Sequence, residues 1–256
     1  MRNSNSREVI QALIVTLFKL RSGNSNNIIA TVMDIEHPQR ISDYFEAVLN
    51  AFEKDVFPSK FGPTATQGDV LIREHTSPIA NALFNIGTNR LAVICDGTYV
   101  KHEKSTNSLY QRKSFSGQKK YNLCKPFTIC ATDGFIIDDA GPYEGTKNDA
   151  QIMKDVLQNP NGIKRSLRKG DIFIVDRGFR DVVSYLEEQG FKVLMPAVKG
   201  KRAKLTAEES NNSRFVTKVR WVVESDHGII GRRWKLLHNQ LDNKLLPKVK
   251  VSFYQR

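Results

Sequence analysis

Two short apolar runs in this chain end in the same way. One is Leu91-Ala-Val-Ile-Cys-Asp96-Gly97 and the other is Asp171-Ile-Phe-Ile-Val-Asp176-Arg-Gly178. Runs of this length, rich in β-branched and aromatic residues, predict buried strands. A carboxylate is costly to bury without a partner, so each terminal acid is expected at the C-terminal tip of its strand. In open α/β sheets that edge is where ligands bind. Two such strands side by side would bring Asp96 and Asp176 within a few ångströms of each other. Like charges that close repel unless a proton or a metal ion intervenes. Oxygen-only donors favour hard cations, Mg2+ or Mn2+.

A helix offers a third acid. Glu224 closes Val219-Arg-Trp-Val-Val-Glu224, an otherwise apolar stretch, with Arg220 one helical turn earlier on the same face. Two readings stand: an i,i+4 ion pair, or a metal ligand oriented by Arg220. Taken singly, each acid also suits an ordinary role, since aspartates often end strands in turns and helical glutamates face water. Together the three acids could hold two ions about 3.5–4 Å apart, which activate a water or hydroxyl on one side of a phosphodiester and stabilise the leaving oxygen on the other.

Charge points the same way. Lys and Arg number 39 against 27 Asp and Glu, a formal net charge of +12, which suggests a polyanionic partner and most simply nucleic acid. Candidate phosphate contacts are Arg177 and Arg180 beside Asp176. Arg112, Lys113, Lys119 and Lys120 are further candidates, interleaved with Tyr110, Phe115 and Tyr121 in a basic stretch read as extended. Cys95, Cys124 and Cys130 lack zinc-site spacing and read as buried thiols in a reducing compartment. No run reaches the length of a membrane span, and the apolar residues 9–20 are broken by Gln11, Thr16 and Lys19. An intracellular protein is expected. No glycine-rich loop follows the strands, which argues against a nucleotide-binding α/β protein.

The N-terminal third reads as helices. Ile10, Leu13, Ile14, Leu17 and Phe18 share a face, Gly23 closes that helix, and a second runs over 26–34. A third follows Pro38, with Ile41, Tyr44, Phe45, Val48, Leu49 and Phe52 at helical spacing. Short turns between them allow a helix-turn-helix unit. The third helix, however, sets Asp43, Glu46 and Glu53 against Arg40 and Lys54, fewer cations than a recognition helix needs, so a helical packing or dimerisation unit is the alternative. From residue 91 onward the order of strands, the Asp133-Gly134 hairpin turn and alternating helices implies a mixed sheet with helices packed on it.

Six stretches, in this order, resemble the DDE superfamily endonucleases of PIF/Harbinger-type transposases and their domesticated relatives. They are Leu20-Arg-Ser-Gly-Asn-Ser-Asn-Asn27, Cys95-Asp-Gly-Thr-Tyr99, Gly141-Pro-Tyr143, Lys147-Asn-Asp-Ala150, Ile174-Val-Asp-Arg-Gly-Phe-Arg180 and Val216-Thr-Lys-Val-Arg-Trp-Val-Val-Glu-Ser225. The resemblance covers about residues 10–237. It implies an RNase H-like fold and an Asp-Asp-Glu metal site for DNA strand cleavage, with Asp96 and Asp176 as strand-borne ligands, Glu224 as the helix-borne one, and two divalent ions. Asp149 matches a recurrent family aspartate that supports the ligands or caps a helix. It further implies DNA as substrate, a nuclear location, a separate DNA-binding partner protein and a homo-oligomer that cuts two ends. A domesticated, catalytically silent DNA-binding protein of the same fold is the competing expectation.

The expected organisation is a helix-turn-helix-like region over 1–57, a linker and helix over 58–90, the catalytic domain over 91–238, and a divergent tail over 239–256 that lacks the family pattern. Asp226 and His227 stand where small polar residues are expected. At i+3 from Glu224, His227 could reach the site as a proton shuttle, although a histidine there more often faces solvent.

Overall fold

The computed structural model describes residues 8–250; residues 1–7 of the expected helical region and 251–256 of the expected tail lie outside them. Three helices come first, α1 (Val9–Ser22), α2 (Asn26–Val32) and α3 (Gln39–Ala51). The Gly23 φ of 64° ends α1 with its N–H bonded to the Lys19 carbonyl, a left-handed turn that favours glycine. The Ser25 hydroxyl accepts from the Ile28 N–H and starts α2.

The buried face of α1 is not the one its apolar spacing predicts. Ile10, Leu13, Ile14 and Leu17 are 42–70% exposed, while Ala12, Val15, Thr16, Lys19 and Leu20 are buried. The reason is packing on two sides, since α1 lies against both α3 and a C-terminal helix. Close helix contact favours small side chains such as Ala12 and Thr16, and the Thr16 hydroxyl donates to the Ala12 carbonyl at 2.8 Å. Lys19 is accommodated by a hydrogen bond to the Asn26 side chain and by lying 5.6 Å over the Phe45 ring.

Part of the expected linker is helical. A π-helical turn (Phe52–Val56) runs into α4 (Phe57–Lys60), followed by α5 (Gly68–His75) and α6 (Pro78–Phe84). The sheet contains β1 (Ala92–Gly97), β2 (Val100–His102), β3 (Phe115–Ser116), β4 (Tyr121–Ala131), β5 (Ile136–Glu144), β6 (Ile172–Ile174) and β7 (Lys192–Leu194). The main order is β5-β4-β1-β6-β7, in which β5, β4 and β1 pair antiparallel, and β1, β6 and β7 pair parallel. An antiparallel meander extended by two parallel crossover strands is the RNase H-like topology. β2 continues the line of β1 along β4, and β3 pairs with the other edge of β4.

The stretch 110–121, expected to be extended, is helical up to Ser114 and extended only in the short β3 and at Tyr121, with a turn between them. Asn107 caps α7 (Ser108–Ser114) by accepting from the Leu109 and Tyr110 N–H groups at 3.0 Å each. That cap outweighs a stretch with no strict alternation of apolar and polar residues.

The period of two along β1 and β6 sorts the core into two layers. Ala92, Ile94, Ile172 and Ile174 face α6 and Val216, Val219 and Val223 of α10 (Ala207–Arg233). Val93, Cys95, Phe173 and Val175 face Ile152, Met153 and Val156 of α8 (Asp149–Gln158) and Leu186 of α9 (Val183–Glu188). Cys95, Cys124 and Cys130 are buried free thiols. The chain then turns through α11 (Lys235–His238). Leu241 bridges to His102, and Leu246 and Val249 pack with Trp234, Leu20, Phe45 and Leu49. The segment beyond 238 thus closes over the N-terminal helices. Among the described residues no helix is long and apolar enough to cross a membrane.

Candidate functional site

Parity decides where Asp96 points. It follows Ala92 and Ile94 on the α10 side of β1, next to a polar row flanking the buried stripe Val216, Val219, Val223, Asp226 and Ile230. That row is Arg220, Glu224 and His227, at helical steps of four and three. The Arg220 guanidinium reaches both acids: it lies 3.6 Å from Asp96 Oδ1 and is hydrogen-bonded to Glu224 Oε1. The i,i+4 ion pair is therefore formed, and it also ties the helix to the strand-borne acid.

Asp176 follows β6 and caps the 3-10 turn Arg177–Val182, where its Oδ1 accepts the Gly178 N–H at 2.7 Å. Asp149 opens α8. It is held by Lys125, whose Nζ lies 3.1 Å from Asp149 Oδ1 and donates to the Lys147 carbonyl at 2.8 Å. Two glycines let these groups approach. A Cβ on Gly97 would come within 2.7 Å of Asp149 Oδ1 and 2.8 Å of the Lys125 side chain, and one on Gly178 within 2.9 Å of Asp176 Oδ1. Lys125 sits beside a register shift in β4 at Pro126, which cannot donate to the ladder.

Burial, offset in part by Arg220, together with the negative fields of Asp176, Asp149 and Glu224, pushes the Asp96 carboxyl up to about 7. Burial, against the pull of Lys125 and with a contribution from Asp176, raises Asp149 as well. Asp96 therefore lies within electrostatic reach of all three other acids. The described His, Cys, Asp and Glu side chains nevertheless include no group of three arranged around one metal position.

His227 is not a surface residue: its side chain is 10% exposed. Burial, reinforced by Arg220, lowers it to about 4, so it is neutral near pH 7, and its Nδ1, 3.9 Å from Asp96 Oδ2, forms no ion pair there. Its Nε2 meets the Thr128 hydroxyl at 3.0 Å, and that hydroxyl donates to Asp139 Oδ1 at 3.0 Å. With the hydroxyl proton so used, His227 carries its proton on Nε2 and turns the bare Nδ1 to Asp96. Asp139 is 1% exposed and is raised to about 7, chiefly by burial.

Of the predicted phosphate contacts, Arg177 and Arg180 are exposed beside Asp176, with Arg180 3.3 Å from Asp181. Arg112 and Lys113 lie in the last turn of α7, where Lys113 pairs with Glu144 at 2.7 Å. Lys119 and Lys120 are in the β3–β4 turn, and Lys119 Nζ lies 5.8 Å from the Tyr99 ring. Sequence reading passed over Lys125, Thr128 and Asp139. A lone lysine at the start of Lys-Pro-Phe-Thr-Ile-Cys-Ala was the one available signal.

Comparison with solved structures finds the Mos1 mariner paired end complex with Mn, 14% identical over 91% of this chain and 82% of that one, with a TM-score of 0.28. A pre-cleavage Mos1 transpososome is 13% identical over 90% and 81%, with a TM-score of 0.27. Comparison with curated proteins gives no match. The family described as DDE superfamily endonuclease matches residues 95–253, running past the boundary expected near 238. With more than half its length inside that match, the chain belongs to the DDE superfamily endonucleases.

Proposed function

We propose that this protein is a metal-dependent DNA endonuclease of the PIF/Harbinger transposase type, with Asp96, Asp176 and Glu224 as the ligands of two divalent ions, Mg2+ or Mn2+. The observation that carries the reading is the carboxylate excess around Asp96: three further acids act on it and burial withholds water, so its proton is held to about pH 7. The donor set fits hard cations, being oxygen throughout. When bound, the ions supply an activated water and stabilisation of the leaving oxygen.

The chain's own residues prepare that edge. The Gly178 N–H fixes the Asp176 carboxylate, and Lys125 fixes Asp149 as a supporting group. Arg220 restrains Asp96 and Glu224 together. Exposed Arg177, Arg180, Arg112, Lys119 and Lys120 offer phosphate contacts along the strand ends. The proposed organisation keeps residues 91–238 as the catalytic unit, with the preceding helices as a helix-turn-helix-like region. DNA as substrate implies a nuclear setting, and the acid-rich α3 suits a separate DNA-binding partner protein.

One observation favours a second reading, a catalytically silent DNA-binding protein: Arg220 already engages both Asp96 and Glu224. Nicking of supercoiled DNA with Mg2+ or Mn2+ separates the two. Cleavage by the wild type and not by Asp176→Asn supports the nuclease. DNA binding with equal, negligible nicking by both proteins supports the silent form.

A further inference from the structure

A row of polar side chains crosses the sheet beneath α10. Asp96 of β1 pairs with Thr128 of β4, and Thr128 pairs in turn with Asp139 of β5. Directly paired residues share a face of the sheet, so the three stand side by side, and His227 of α10 lies against them. Both ring nitrogens meet the row. Nε2 is 3.0 Å from the Thr128 hydroxyl, which donates to Asp139 Oδ1 at 3.0 Å. Nδ1 lies 3.9 Å from Asp96 Oδ2. Arg220 takes the other oxygen of that carboxylate, 3.6 Å from Oδ1.

This is how a metal-binding histidine is built. Such a ring donates its far N–H to a polar partner, most often a carboxylate, which fixes the tautomer and aims the near lone pair. Here the far N–H goes to Thr128 and through its hydroxyl to Asp139, while Nδ1 and Asp96 Oδ2 turn lone pairs towards each other. At 3.9 Å the two are too far apart for a hydrogen bond. Two acceptors aimed in this way repel each other, whereas a cation attracts both. Divalent ions bond imidazole nitrogen and carboxylate oxygen at about 2.0–2.2 Å, so one ion spans the gap. An oxygen-only set serves Mg2+ and Mn2+ alike, but imidazole nitrogen suits transition ions better than Mg2+. We propose that His227 Nδ1 joins Asp96 Oδ2 in holding one of the divalent ions, with Thr128 and Asp139 orienting the ring, and that this nitrogen turns the choice of ion from Mg2+ to Mn2+. This rests on the nuclease reading, to whose metal site it adds a ligand.

The test follows Mn2+ by pulsed electron paramagnetic resonance on the full chain without DNA. The wild type should show the nitrogen modulation of a directly bound imidazole, and labelling its histidines with the heavier nitrogen isotope should shift that modulation, with no substitution needed. His227→Gln should still take up Mn2+ but lose the coupling. Its preference for Mn2+ over Mg2+, read by competition between the two ions, should fall about tenfold or more. Thr128→Val keeps the ring and removes the group that orients it, so its Mn2+ affinity should fall about tenfold. Three results overturn the proposal: no Mn2+ uptake by the wild type, uptake without nitrogen coupling, or coupling that survives His227→Gln. Nicking with Mn2+ by a wild type that lacks the coupling would leave the nuclease reading standing. Coupling in a wild type that never nicks would remove that reading and keep this ligand.

Discussion

The sheet and the first helix obey the same rule with opposite results. In β1, alternation places Val93 and Cys95 against α8 and Ala92 and Ile94 against α10, as the pattern of the run demands. In α1 the widest apolar stripe, Ile10 to Leu17, is the exposed side, and a mixed face with Ala12, Thr16 and Lys19 is buried. A central strand has both faces covered, so its register is fixed by everything around it. A peripheral helix buries whatever side its neighbours reach, and α1 is reached by α3 and α11. Apolar periodicity therefore reports a helix reliably and its orientation only when one neighbour competes for it.

The sharpest test of the sheet's side of this contrast is chemical. If strand register aims the acids, Asp176→Asn should lower metal-dependent nicking more than about a thousandfold, because ligand loss removes several kcal/mol of transition-state stabilisation; retention of activity in a gel assay would remove Asp176 from the site. Next, Phe173→Ala should cost about 3–5 kcal/mol in urea unfolding, since Phe173 is fully buried in the layer facing α8.

Third comes a pH effect within the covered interior. Burial raises the Asp139 carboxyl from the ordinary 3.8 to about 7 in the folded protein, so its stabilising contribution is complete below about pH 4 and disappears as pH rises through about 7. Asp96 adds to the same decline in the metal-free protein. His227, lowered from 6.5 to about 4, acts oppositely and costs stability as pH falls through that window. Asp139→Asn should flatten the decline between pH 4.5 and 7.5 by an amount on the order of a few kcal/mol; denaturation midpoints that move with pH as in the wild type would refute this. The smallest effect belongs to α1: Ile14→Ser, on its exposed side, should change stability by less than about 0.5 kcal/mol. A larger loss in the same urea assay would show that this stripe is covered after all.

Much of the acid edge could be read in advance because it depends on local patterns. Asp96 and Asp176 end apolar runs, and Arg220 and Glu224 are one helical turn apart. The Lys125–Asp149 contact and the Asp139–Thr128–His227 relay were not legible, because they depend on register. Thr128 meets Asp139 only through the pairing of β4 with β5, and His227 reaches Thr128 across 99 residues of chain. The helix over 108–114 was hidden by a cap whose effect outweighs its basic, aromatic composition.

The cluster joining Leu20, Phe45 and Leu49 to Trp234, Leu241, Leu246 and Val249 has a mechanical consequence. Lys60 is exposed at the end of α4, and a tryptic cut after it severs the covalent link between the helical unit and the sheet. The two pieces, 1–60 and 61–256, are still clasped by side chains drawn from both. They should therefore elute from a sizing column as one particle and part only in denaturant, like two halves of a buckle whose strap has been cut.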